Sequence, residues 1–144
     1  MDENINLTIL NEIGKAAKMG MDSISYVSDK VEDETMKENL TYQYSGYGKV
    51  VEDVNKQFEK YGEIPDEEPV MQKAMGWMGV QFNTMTDNSN SHIAELMIQG
   101  SDMGIIKCQK LINHNPEADQ PVKDLLYHFV TFQKNNIEKL KEFL

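Results

Sequence analysis

The sequence predicts an all-α fold: an antiparallel four-helix bundle with a short extra helix in the crossover between the second and third long helices. Three observations predict it. Apolar residues recur at about 100° per residue along four long segments. Only four prolines punctuate the chain. The main interruption falls near the middle, where one long connection would carry the chain between two pairs of helices. At 144 residues the length suits one domain, residues 1–144, with a core that needs no disulfide or metal to hold it.

The first helix is expected near residues 4–30, where Ile5, Ile9, Ile13, Ala16, Gly20, Ile24, Val27 and Val31 share one stripe. The second, near 34–61, lays Met36, Leu40, Tyr44, Tyr47, Val51, Val54, Phe58 and Tyr61 inward. Each is about 40 Å long at 1.5 Å per residue, which is bundle length. The stretch "YGEIPDEEP" then stops the helix: Gly62 supplies a terminus, and Pro65 and Pro69 bracket an acidic turn. Residues 70–86 read as a short Met-rich helix carrying Val70, Ala74, Trp77, Met78 and Met85. After the polar cluster "TDNSNS", Asn90 or Ser91 caps a third long helix near 91–113. The fourth follows "NHNPEADQP" over 120–143, with Val122, Leu125, Phe129, Phe132, Leu140 and Phe143 inward. No short-period repeat appears, which disfavours a helical solenoid.

Charge narrows the function. The net charge of −10 opposes nucleic-acid backbones and anionic membranes, and all 14 basic residues are lysines, leaving no guanidinium fork for phosphate or guanine. No apolar run reaches the roughly 18–20 residues that span a bilayer. The acidic, unpatterned start does not resemble a secretory signal, and the lone Cys108 has no partner for an intramolecular bridge. The expectation is a soluble, cytoplasmic protein with no nucleic-acid or membrane partner. Ten methionines favour adaptable packing over chemistry.

In "HIAELMIQGSDMGI", His92 precedes Glu95 at a spacing that two metal ligands can use, but two side chains do not complete a site. On a helical wheel His92, Glu95, Gln99 and Asp102 share one side, and Ile93, Met97, Gly100, Gly104 and Leu111 the other. The charged pair is therefore expected to face water, unless a different register turns Glu95 inward. Gly100 and Gly104 are the more informative pair. Each costs up to about 1 kcal/mol relative to alanine within a helix, so a close approach or a small pocket should offset it.

Polar residues also fall within the apolar stripes. Gln133 and Asn136 sit among Phe129, Phe132 and Leu140; Tyr44 and Tyr47 face them from the second helix, with Gln43 on the flank. Glu12 and Ser23 border the first stripe. Together these residues form either one hydrogen-bonded layer across the bundle, able to shelter water or a small polar ligand, or a set of tips that reach solvent separately.

The segment "SHIAELMIQGSDMGII", with the terminal "FQKNNIEKLKEFL" and the helix order, resembles the ferritin-like superfamily, in particular small bacterial ferritin-like proteins of sporulating anaerobes with no established activity. The resemblance implies an antiparallel bundle of bacterial, cytoplasmic origin. Di-iron members carry single glutamates on two helices and Glu-x-x-His motifs on the other two. Here Tyr44 and Tyr47, then Gln133 and Asn136, hold the three-residue spacings, and the third helix offers Met97, Gly100 and Gly104. Only Glu12 remains as an anionic candidate, and His92, His114 and His128 fall outside the motif positions. No metal or other cofactor is therefore expected.

The leading expectation is a non-catalytic helical-bundle protein with a structural, interaction or small-ligand-binding role. Its candidate interior site is Glu12, Tyr44, Tyr47, Gly100, Gly104, Gln133 and Asn136. No acid–base, nucleophilic or metal constellation is complete, and no glycine-rich phosphate loop follows a strand. The rival is a metal-binding oxidoreductase or metal-storage protein with an unconventional site. The Met/Trp-rich segment 70–86 either covers one end of the core, the simpler outcome, or forms a homodimer surface.

Overall fold

The computed structural model describes residues 4–66, 79, 81–82 and 84–144. Four long helices dominate: α1 (Ile5–Ser28), α2 (Glu34–Lys60), α3 (Asn90–His114) and α4 (Gln120–Leu140), with a terminal 3-10 turn over Lys141–Phe143. α1 pairs with α2 and α3 with α4 through short connections, and the long α2–α3 connection joins the two pairs. The four expected helices thus stand close to their expected bounds. Most of the short helix and homodimer surface expected at 70–86 lies outside the described residues.

Local chemistry sets the helix ends. The Asn4 side chain accepts from the Asn6 N–H at 3.0 Å and the Asp33 side chain from the Met36 N–H at 2.8 Å, each satisfying a donor that the first turn leaves unpaired. The α3 cap is Ser89, which accepts from the His92 N–H at 3.2 Å; neither Asn90 nor Ser91 serves. Ser89 is the residue still in extended conformation, so its side chain can reach back over the first turn. At the end of α2, Gly62 adopts φ +68°, and the Gly62 and Glu63 N–H groups donate to the Glu59 and Phe58 carbonyls at 3.0 Å each. This paired closure needs a left-handed residue, which glycine supplies without a Cβ penalty.

The core is apolar and continuous. Ile9, Leu10 and Ile13 of α1, Met36, Leu40 and Phe58 of α2, Ile93 of α3, and Leu126, Phe129 and Leu140 of α4 are all buried. Phe82, in the connection, is buried too and stacks on Tyr26 of α1 with ring centroids 5.4 Å apart. No helix among the described residues is long and apolar enough to cross a membrane.

One end of the bundle is tied by polar groups from three helices. The Asp119 N–H donates to Asn6 Oδ1 at 2.7 Å, and the Tyr61 hydroxyl donates to the Asp119 carboxylate. Burial foremost, and then the Asp119 bond and charge, push the Tyr61 pKa up to about 12. The folded chain therefore holds this proton more tightly than the unfolded chain does. Its contribution to stability is complete below pH ~10, the ordinary tyrosine value, and is lost as pH climbs towards 12. Urea unfolding at stepped pH should show stability falling over that window, and falling less steeply in Tyr61→Phe. Parallel curves for the two proteins would contradict this assignment.

Candidate functional site

The middle of the bundle contains an aromatic and amide layer. Tyr47 on α2 is buried, with its ring edge-on to Phe132 at 5.0 Å and to Phe129 at 6.2 Å. The ring lies so close to α1 that a Cβ at Gly20 would meet its atoms at 2.6–2.7 Å. Glycine at position 20 therefore makes room for Tyr47. From α3 and α4, the Ser101 and Asn136 side chains approach the Tyr47 hydroxyl and favour its ionised form, but burial dominates and raises its pKa. The phenol stays neutral.

Gln133 on α4 is buried, and its carboxamide lies against the backbone of α3. A Cβ at Gly104 would stand 2.2 Å from Gln133 Oε1. The Gln133 Nε2 reaches only its own helix, donating to the Phe129 carbonyl at 3.5 Å, the outer limit of a hydrogen bond. Two further amide atoms, Asn136 Nδ2 and Gln43 Oε1, are buried without a hydrogen-bond partner. Gln43 donates through Nε2 to Asn39 at 2.7 Å and leaves its oxygen facing the interior.

Between α1 and α3 the packing opens into a cavity of about 330 Å³. Its walls are small or flexible: Ala16, Met19 and Gly20 on one side, and Met97, Gly100, Met103 and Gly104 on the other. Tyr47, Ser101 and Gln133 form its polar floor, with Ser23 nearby. Ser23 already spends its proton on the Met19 carbonyl at 2.9 Å. Charges stand at the rim. Glu12 of α1 pairs with Lys107 of α3, which bridges the two helices, and with Lys15 at 3.8 Å.

Most of the residues expected from sequence meet here. Glu12, Tyr47, Gly100, Gly104 and Gln133 line this cavity, and Asn136 stands behind Tyr47. Tyr44 does not join them. It is 41% exposed and borders a separate groove beside Ile24, Leu40 and Thr41. Residue 43, four positions before Tyr47, shares its face, so Gln43 takes the interior position expected of Tyr44. Sequence reading passed over Lys107, Gly20 and Ser101 as site residues. Their signal was spacing: Gly20 stands four residues after Ala16 on α1, and Ser101 and Lys107 each stand three residues from Gly104 on α3.

The donors do not suit a di-iron centre. Among the described residues, no three His, Cys, Asp or Glu side chains gather closely enough to hold a metal ion. His92 pairs with Glu95 at 3.3 Å on the outer side of α3, as expected, and His114 and His128 are exposed. The layer itself presents phenol, hydroxyl and carboxamide groups, which cannot balance the charge of two iron ions. Cys108 is buried and its thiol is pushed up to about 11, mainly by burial, so it is a poor nucleophile at neutral pH.

No protein-family model matches this sequence, and no curated protein matches it. A solved structure does match: a dodecameric thioferritin, the bacterioferritin-related protein from Bacteroides fragilis, with TM-score 0.78 and 11% sequence identity. The match covers 99% of this chain and 86% of that one. At that identity the likeness concerns the fold, and it agrees with the helix order and the long α2–α3 connection: this chain has the ferritin-like fold.

Proposed function

We propose that this protein is a non-catalytic ferritin-like bundle that binds a small molecule between α1 and α3 and lacks a di-iron centre. One observation carries the reading: the cavity is lined by the buried, neutral side chains of Tyr47, Ser101 and Gln133, and among the described residues no carboxylates and imidazoles gather as a di-iron bundle needs. Its volume lies at the lower end of the roughly 300–1,000 Å³ usual for ligand pockets, and its lining of apolar walls with a few convergent polar groups is typical of them. The bundle positions these groups on rigid helices, so the site is formed before any ligand arrives. A cytoplasmic setting fits the single cysteine, which has no partner within the chain, and the absence of apolar spans among the described helices.

The rival reading is metal storage, favoured by the fold shared with a thioferritin. Anaerobic incubation with ferrous iron, desalting, and exposure to air separate the two. We expect iron to remain well below one ion per chain, with no oxidation faster than in buffer. Near-stoichiometric retained iron with rapid oxidation would overturn the proposal. Because the matched thioferritin is dodecameric, self-association of this chain is part of the same proposal, with a homodimer through segment 70–86 as one form of it; a light-scattering mass of one chain at every concentration would contradict it.

A further inference from the structure

The shape of the α1–α3 cavity narrows the class of its ligand, provided the binding role proposed above is correct. The opening is long. Glu12 meets Lys107 at one level, and Gly20 and Ser101 both lie against Tyr47 further along, so α1 and α3 pass each other antiparallel. The lining runs from Glu12 to Ser23 on α1 and from Met97 to Lys107 on α3, which is roughly 15 Å at 1.5 Å per residue.

It is also narrow. The Tyr47 ring takes the space over Gly20, and the Gln133 carboxamide takes the space over Gly104. About 330 Å³ drawn out over that length leaves a channel of about 20 Å² in section. That is room for one polymethylene chain, but not for a fused ring lying across it. Ala16, Met19, Met97, Gly100 and Met103 wall the channel, and unbranched methionine side chains adapt to a flexible neighbour.

The polar groups of the floor are engaged with the protein. Ser101 and Asn136 stand beside the Tyr47 hydroxyl, and Gln133 Nε2 donates to the Phe129 carbonyl at 3.5 Å. A ligand with polar groups deep in the channel would lose its water there without replacement, whereas an aliphatic chain has none to lose. At the Glu12–Lys107 end a hydroxyl can donate to the carboxylate and accept from the ammonium.

We infer that the cavity takes a free single-chain amphiphile. An unbranched alkyl chain of about ten carbons fits the length of the channel, and an uncharged, hydroxyl-bearing head stands at the Glu12–Lys107 end.

Titration calorimetry on the full chain tests this with hexan-1-ol, octan-1-ol, decan-1-ol and naphthalene. Each two-carbon step should tighten binding about tenfold, as burial of two further methylenes predicts. Naphthalene should bind about tenfold more weakly than octan-1-ol, because the channel must be forced apart to admit its width. In Ala16→Leu, which narrows the channel, the gain with chain length should disappear. Equal affinities along the wild-type series, or naphthalene matching octan-1-ol, would overturn the ligand class while leaving the cavity as a binding site. A full gain with chain length in Ala16→Leu would place the chain elsewhere and overturn the inference. Co-sedimentation of the protein with phosphatidylcholine vesicles would overturn the free source of the chain. Failure of all four probes to bind would overturn both the class and the binding role.

Discussion

Phe129→Ala should destabilise the bundle by about 3–5 kcal/mol, read from urea unfolding monitored by helical circular dichroism. Phe129 is fully buried, stacks on Phe132 at 6.5 Å, and meets the Tyr47 ring edge-on at 6.2 Å. Its removal forfeits the transfer of a large apolar side chain from water and leaves a void between α2 and α4. The void cannot collapse easily, because Tyr47 is already held against Gly20 and Phe132. The effect should extend to the site, since Tyr47 loses one of the two rings that orient it. Tyr127→Ala is the control two positions away: it is 53% exposed, and truncation there should cost no more than about 0.5 kcal/mol. Equal losses at the two positions would mean that the layer does not carry the packing attributed to it.

Gly20→Ala should also destabilise, against the helix propensity of the two residues. Propensity alone favours alanine by about 0.8–1 kcal/mol. The new methyl, however, would sit 2.6–2.7 Å from three atoms of the Tyr47 ring. A ring is rigid, and Phe132 and Phe129 block its retreat, so the overpacking cost of about 1–3 kcal/mol should outweigh the propensity gain. Gly48→Ala reverses the sign. There the nearest atom is Met21 Cε at 3.9 Å, an ordinary contact, and the propensity gain should appear as up to about 1 kcal/mol of added stability. The opposite signs at two helical glycines are the test. If both substitutions stabilise, Tyr47 is mobile and the floor of the cavity is not preorganised.

Both predictions concern a layer that was partly legible in the residues. Gln133 and Asn136 announced themselves as amides inside a stripe of phenylalanines, and both are buried. The glycine pair on α3 announced a close approach, and at Gly104 it is the Gln133 carboxamide that approaches. Tyr44 shows where such reading stops. Positions 43 and 44 differ by about 100° on the helix, and either one shares a face with Tyr47. The apolar pattern of α2 does not choose between them, because tyrosine tolerates water at its hydroxyl end and glutamine tolerates burial when partnered. The packing of α2 against its neighbours chose Gln43.

The Ser89 cap and the rim pair have the same origin. A run of Asn and Ser before α3 offers several caps of similar strength, and the cap is whichever residue stays extended when the helix docks. Glu12 and Lys107 are 95 positions apart in the chain, so only the approach of α1 to α3 unites them.

By itself, then, the sequence determined what is periodic and local: four amphipathic helices, the glycine closure after α2, an acidic surface and polar residues within the stripes. These follow from backbone hydrogen bonding, the 3.6-residue turn and the burial of apolar faces, all of which act within a few residues. Only the tertiary structure decided which polar groups share an interior, that Gly20 yields to Tyr47, and that a cavity opens between α1 and α3. Those outcomes depend on the relative rotation and spacing of helices, which is settled by the volumes of side chains distant in the chain competing for the same space.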